Sequence, residues 1–258
     1  MSQPKCSFSN GAPVGIRVSR GVTPRIPVGG MVINYDQDGV SGGSVRLELQ
    51  LDTCIHWLEI AMENLAKAKL AHEKSAAGEF ENDSELDLLI DQEFKASVQA
   101  SVAAATFFES LYAATLERMP IKPAAHTPNT RKKQARFAKV AEQLRVSFGL
   151  KRQGIANLRS VLGELYRFRD EAVHPSSKFG DPVLHPILQV GVERRYVMFS
   201  YPNARQLVRA ALAYSKMLPL RDLTKKPKAI QDFAAYLRTV TEPLYPSWEQ
   251  MHGPLFDV

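Results

Sequence analysis

The chain has 258 residues, 45% apolar and 23% charged, with a net charge of +6. That is enough material for a large domain with a buried core, and it is unlike the composition of a disordered chain. No apolar run is long enough to span a bilayer: the best candidate, residues 101–116, is interrupted by Glu109 and reads as a buried helix. Met1-Ser2-Gln3-Pro4-Lys5 lacks the apolar core of a secretory signal. The two cysteines, Cys6 and Cys54, cannot build a disulfide framework and have no partners at metal-ligand spacing. The expectation is a cytoplasmic protein with no membrane association, no metal and no cofactor.

The net charge conceals an asymmetry. Residues 51–130 carry 6 basic and 13 acidic side chains, whereas residues 131–258 carry 22 basic and 11 acidic ones. The most basic piece, residues 131–159, opposes 9 cations with Glu142 alone. Arg131, Lys132, Lys133, Arg136 and Lys139 lead it, and such a run attracts phosphate, which makes these five the candidate nucleic-acid-binding residues. A solvated helix face, or a contact with the acidic stretch from Glu79 to Glu93, would account for the same run.

Residues 1–43 are rich in Gly and Pro. Ile16-Arg17-Val18, Arg25-Ile26-Pro27-Val28 and Met31-Val32-Ile33-Asn34-Tyr35 read as short strands separated by Gly21, Pro24 and Gly29-Gly30. The cluster Gly39-Val40-Ser41-Gly42-Gly43 lacks the spacing of a phosphate loop and closes a flexible or hairpin-forming arm. Helical signals begin near Ser44, with Ile55, Leu58, Met62 and Leu65 as one stripe. A second helix starts after Ser84, carries Leu86, Ile90, Phe94, Val98, Ala105, Phe108, Tyr112 and Leu116 on one face, and ends before Pro120. The third, over residues 130–148, turns Phe137, Val140, Leu144 and Phe148 inward and stops at Gly149. The fourth begins near Gly154 and buries Ile155, Leu158, Leu162 and Leu165.

Beyond Pro175 the pattern changes. Residues 187–192 and 196–201 are β-prone and flank Glu193-Arg194-Arg195, which predicts a small β-hairpin over 187–201. Asn203 is placed to cap a helix through Leu218, with Leu207, Ala211, Leu212 and Ser215 on its near face. A last helix over residues 227–240 presents Ile230, Phe233, Leu237 and Val240, and a Pro-containing tail lays Tyr245 and Trp248 over the core.

The end of the fourth helix reads Leu165-Tyr166-Arg167-Phe168-Arg169-Asp170-Glu171-Ala172-Val173-His174-Pro175. On a continuous helix, residues five apart lie about 140° from each other. The residue before a proline avoids the helical region, so His174 is expected to leave the helix, where its ring can fold back toward Arg169. Arg169, Asp170 and His174 resemble the defining element of the HEPN superfamily (higher eukaryotes and prokaryotes nucleotide-binding): an Arg, a polar residue, and a His a few positions on. The resemblance covers residues 44–175.

It implies an antiparallel helical bundle, so the expected fold is mainly α, HEPN-like, with an irregular or β arm over 1–43, a helical core over 44–175, and a hairpin and C-terminal helices over 176–258 packed on that core. It also implies a homodimer that binds RNA and cleaves it without metal, in a toxin–antitoxin or anti-phage setting where an antitoxin protein is a partner. In that chemistry His174 moves the ribose and leaving-group protons, Arg169 stabilises the phosphorane, and Asp170 orients its neighbours. The same residues also suit a helix-end ion-pair network, with His174 against the negative end of the helix, in a non-catalytic dimerisation or protein-interaction module. His185 precedes a proline and reads as a turn residue. His56 and Trp57 read as packing or surface residues of the first helix, and His72, His126 and His252 show no ligand spacing with one another or with the cysteines. Tyr166 and Phe168 read as packing residues that could also stack on a base.

Overall fold

The computed structural model describes residues 18–36, 39–120, 135–174, 178 and 180–256. It is 66% helical with small two-stranded sheets, which establishes the mainly α class. Two compact units divide between Asp52 and Thr53.

The first unit is built from β1 (Val22–Arg25), β2 (Met31–Asp36), β3 (Gly39–Val45) and β4 (Glu48–Leu51). β1 pairs antiparallel with β4, and β2 with β3. Between β1 and β2 the Gly30 N–H donates to the Pro27 carbonyl at 2.8 Å, and Gly29 takes φ +74 at the turn's third position. That conformation suits glycine, and a Cβ on Gly30 would come within 2.9 Å of the Pro27 carbonyl oxygen. Among the described side chains of these ladders and the turn between β1 and β2, Ile26, Val28, Met31, Leu49 and Leu51 are exposed. The helical signal expected from Ser44 is therefore corrected. The Val-Arg-Leu-Glu-Leu-Gln-Leu run over 45–51 alternates with period two; Val45 ends β3 and Glu48–Leu51 pair as β4, and the first helix starts only at Cys54.

The second unit is helical. α1 (Cys54–Ala77) buries Ile55, Leu58, Met62 and Leu65 as the spacing predicts, and ends on Gly78 in the left-handed conformation. A short return leads to α2 (Asp83–Arg118), a 36-residue helix of about 54 Å that packs along α1. Its start lies before the expected Ser84, because the Asn82 side chain accepts the Glu85 N–H at 3.0 Å and so caps the helix. The buried face of α2 is broader than the predicted stripe. Ala96, Ser97, Ala100, Ser101, Ala103 and Ala104 are all buried, and their small side chains admit neighbours on more than one side.

α3 (Arg136–Phe148) and α4 (Arg152–Val173) pack on each other and on α2. Both follow the predicted stripes, and Gly149 closes α3 with φ +65.

The hairpin predicted over 187–201 is corrected. β5 (Val183–Leu184) pairs with β6 (Gly191–Val192), while α5 (Arg194–Met198) is helical. The Glu193 carboxylate accepts the Arg195 N–H at 2.9 Å, and this N-cap outweighs the β-propensity of Tyr196 and Val197. α6 (Tyr201–Met217) begins two residues before the expected Asn203 cap, with Pro202 in its first turn. It packs on α1 and α2 and buries Leu207, Ala211, Leu212 and Ser215. α7 (Lys228–Thr241) buries Ile230, Phe233 and Leu237. The predicted tail is a further helix, α8 (Leu244–His252), whose Trp248 is fully buried. Among the described residues, no helix is long and apolar enough to cross a membrane.

Candidate functional site

The site is assembled on α2, α3 and α4 around a carboxylate in the middle of an alanine-rich helix. Glu109 of α2 is partly buried, so it needs cations or strong donors about it. It accepts the Tyr166 hydroxyl at 2.6 Å, both Nε and Nη2 of Arg136 at 3.1 and 2.5 Å, and Nη1 of Arg169 at 3.3 Å. Burial alone would raise its pKa. The hydrogen bonds from Arg136 and Tyr166, with the charges of Arg136 and Arg169, outweigh that and hold the carboxyl below the ordinary carboxylate range. Burial and the bond to Glu109 push the Tyr166 phenol upward, so it acts as a donor throughout the physiological range.

Each arginine also lies over an aromatic ring. The Arg169 guanidinium is 4.4 Å from the centroid of Tyr166, and that of Arg136 is 4.3 Å from Tyr112. Glu109, Tyr112 and Tyr166 thus hold the two guanidinium groups by hydrogen bonds and ring faces, which is the kind of support that makes an arginine a positioned donor.

Arg169 turns its remaining donors to its neighbour, with Nε and Nη2 at 3.0 and 2.6 Å from the Asp170 carboxylate. The Arg169 side chain is 26% exposed and that of Asp170 55%. His174 caps α4: its N–H donates to the Asp170 carbonyl at 2.8 Å, and its φ of −124 and ψ of 60 take it out of the helix, as the following proline demands. Its residue is exposed, and no hydrogen bond, ion pair or contact with Arg169 engages its ring among the described residues. The structure thus joins Arg169 to Asp170 and leaves His174 on the solvent side of the same helix end.

The basic residues divide. Arg136 belongs to the Glu109 cluster, and Lys139, one turn on, is exposed. Arg131, Lys132 and Lys133 lie outside the described residues. Arg167 pairs with Glu164 within its own helix, and Arg194 of α5 reaches Glu171 at 2.7 Å. Phe168 is buried edge-on against Phe199, which makes it a packing residue. His185 is buried, and its Nδ1 accepts the N–H groups of Ile187 and Leu188 at 3.3 and 3.2 Å, holding the turn between β5 and β6.

Glu109 and Tyr112 escaped the sequence reading as site residues. The available signal was a lone carboxylate inside an apolar stretch, which implies cations brought from other elements. Which cations these are depends on helix packing alone. No protein-family model, curated protein or solved structure matches this chain, so the functional reading rests on the site and on the Arg169–His174 element.

Proposed function

We propose that this chain is a HEPN-like RNA-binding protein whose α4 end forms half of a metal-independent endoribonuclease site, completed by a second copy of the chain. The observation that carries the reading is that a braced, partly exposed Arg169 and an exposed His174 at the C-cap share the C-terminal end of one helix. Glu109 is already paired with Arg136 and hydrogen-bonded by the Tyr166 hydroxyl, and its bond to Arg169 is the longest of the set. The Arg169 guanidinium can therefore exchange the exposed Asp170 carboxylate for an RNA phosphate without stranding a buried charge.

In this mechanism the His174 imidazole takes the proton of a ribose 2′-OH. The 2′-oxygen attacks phosphorus, Arg169 binds the equatorial oxygens, and the P–O5′ bond breaks. The imidazolium of the second copy protonates the departing 5′-oxygen, leaving a 2′,3′-cyclic phosphate and a 5′-hydroxyl. Lys139, exposed one turn along α3 from Arg136, supplies positive charge for the flanking backbone, while Arg136 stays with Glu109 and braces the cluster. The biological setting that goes with the reading is a toxin–antitoxin or anti-phage system with an antitoxin partner.

One observation favours a second reading, a non-catalytic helical interaction module. All three guanidinium nitrogens of Arg169 already face carboxylates within a single copy. The two readings part in a cleavage assay with EDTA present. Wild type is expected to produce 2′,3′-cyclic phosphate ends. Arg169→Ala and His174→Ala each lose activity by about 10²-fold or more, and His174→Ala leaves the melting temperature unchanged. No cleavage by wild type across structured and unstructured RNA, or equal cleavage by all three proteins, removes the nuclease and leaves the interaction module.

A further inference from the structure

Away from the α4 site, α1 and α2 leave a groove of about 370 Å³ along their outer face. Leu70, Ala71, Leu89 and Ala96 form its apolar part, with Leu70 58% exposed and the other three buried. Lys67 and Lys74 stand on the α1 wall, Lys95 stands on the α2 wall with Gln92 and Gln99, and no carboxylate lines it among the described residues. Lys95 is held by Asp91 at 2.5 Å, while Lys67 and Lys74 have no ion-pair partner among the described residues. This is a basic rim in the part of the chain where acidic side chains outnumber basic ones by 13 to 6.

We propose that this groove docks an acidic amphipathic helix of a partner protein, with its apolar face on Leu70 and Leu89 and its carboxylates against Lys67 and Lys74. The walls carry the argument. Asn64, Lys67, Leu70, Ala71 and Lys74 on α1, and Leu89, Gln92, Ala96 and Gln99 on α2, recur at steps of three and four. Such ridges accept a third helix laid between two, and ten residues of wall give about 15 Å, or three turns of occupant. A nucleic-acid backbone would meet the lysines and gain nothing from the apolar floor. A second copy related by a twofold axis would set this lysine-lined groove against itself, opposing like charges.

Fluorescence anisotropy of the full chain tests the proposal with labelled peptides of about 14 residues. One is an amphipathic helix-former with Leu at helical spacing flanked by Glu. The second replaces Glu by Lys, and the third scrambles the first. The expected result is saturable binding of the acidic helix only, weakened about tenfold or more by Lys67→Glu with Lys74→Glu, and equally by Leu70→Glu. All three side chains are exposed, and unchanged circular-dichroism melting shows that the fold persists. Binding of the scrambled peptide as tight as that of the amphipathic one overturns the proposal, as does indifference to Leu70→Glu. Loss of poly(U) retention in the Lys67/Lys74 variant without any peptide binding reassigns the surface to nucleic acid. Concentration-dependent self-association abolished by Leu70→Glu reassigns it to a second copy.

Discussion

Acidification should loosen the packing of α8 through a single buried imidazole. His252 is 6% exposed, its ring lies 4.5 Å from that of Trp248, and its Nδ1 meets the Tyr201 hydroxyl at 3.1 Å. Its Nε2 is buried without a hydrogen-bond partner. Burial first, then the positive charges of Lys69 and Arg205, lower its pKa from 6.5 to about 4. Lys69 and Arg205 cannot simply swing away, because they bind the Met251 and His252 carbonyls at 2.6 and 2.5 Å.

A depressed imidazole contributes stability that is present above pH 6.5 and lost as pH falls toward 4. With these two values the loss is about 2 kcal/mol at about pH 5, and it approaches about 3 kcal/mol below pH 4. The opposing group is His72, which hydrogen-bonds Glu93 at 2.9 Å and has a raised pKa. Its contribution is complete below 6.5 and fades as pH rises through the folded value. The net wild-type profile mixes the two, so the variant His252→Gln, which keeps a partner for Tyr201 and does not titrate, isolates the effect.

Urea unfolding followed by circular dichroism at a series of pH values is the assay. Between about pH 7.5 and pH 5 the wild type should lose about 2 kcal/mol more than His252→Gln. Trp248 fluorescence in a Trp57→Phe background should hold over that interval and fall only as pH drops through about 4, where imidazolium forms beside the indole in the folded protein. Identical pH slopes for the two proteins would refute the reasoning.

Two further expectations concern the carboxylates of α2, Glu109 partly buried and Glu93 buried. Glu109→Gln removes the charge shared by Arg136, Arg169 and Tyr166 and should cost about 2–3 kcal/mol in thermal unfolding, with Arg136→Ala largely non-additive on top of it; additive losses would show that the cluster does not act as a unit. Glu93 of α2 is buried and binds both the His72 ring and the Tyr201 N–H at 2.8 Å, capping α6 where Ser200 makes no side-chain cap. Glu93→Ala should destabilise by about 2–3 kcal/mol and return His72 to an ordinary titration in NMR, and a His72 pKa that stays raised would place its cause elsewhere.

Much of the helical framework was legible in one dimension. The stripes of α1, α3, α4, α6 and α7 follow from apolar side chains at steps of three and four, since only one face of such a helix meets the core. The stop at Gly149 and the departure of His174 before Pro175 are local backbone chemistry and need no tertiary contact. The misreadings at residues 45–51, 82–84 and 193–203 occur where two local preferences compete. A period-two run beat helix propensity, and caps at Asn82 and Glu193 moved helix starts.

The order of residues along the chain determined that Arg169 would stand near the end of an amphipathic helix and that His174 would leave it before Pro175. It could not determine what Arg169 touches. Glu109 lies 60 residues away, and Arg136 and Tyr166 meet it only because α3 and α4 both pack on α2. Periodicity reports which face of a helix is buried, but not its azimuth or height against a neighbour. Those are set by how bulky and small side chains interlock across the whole core, and it is they that decide which charges become partners.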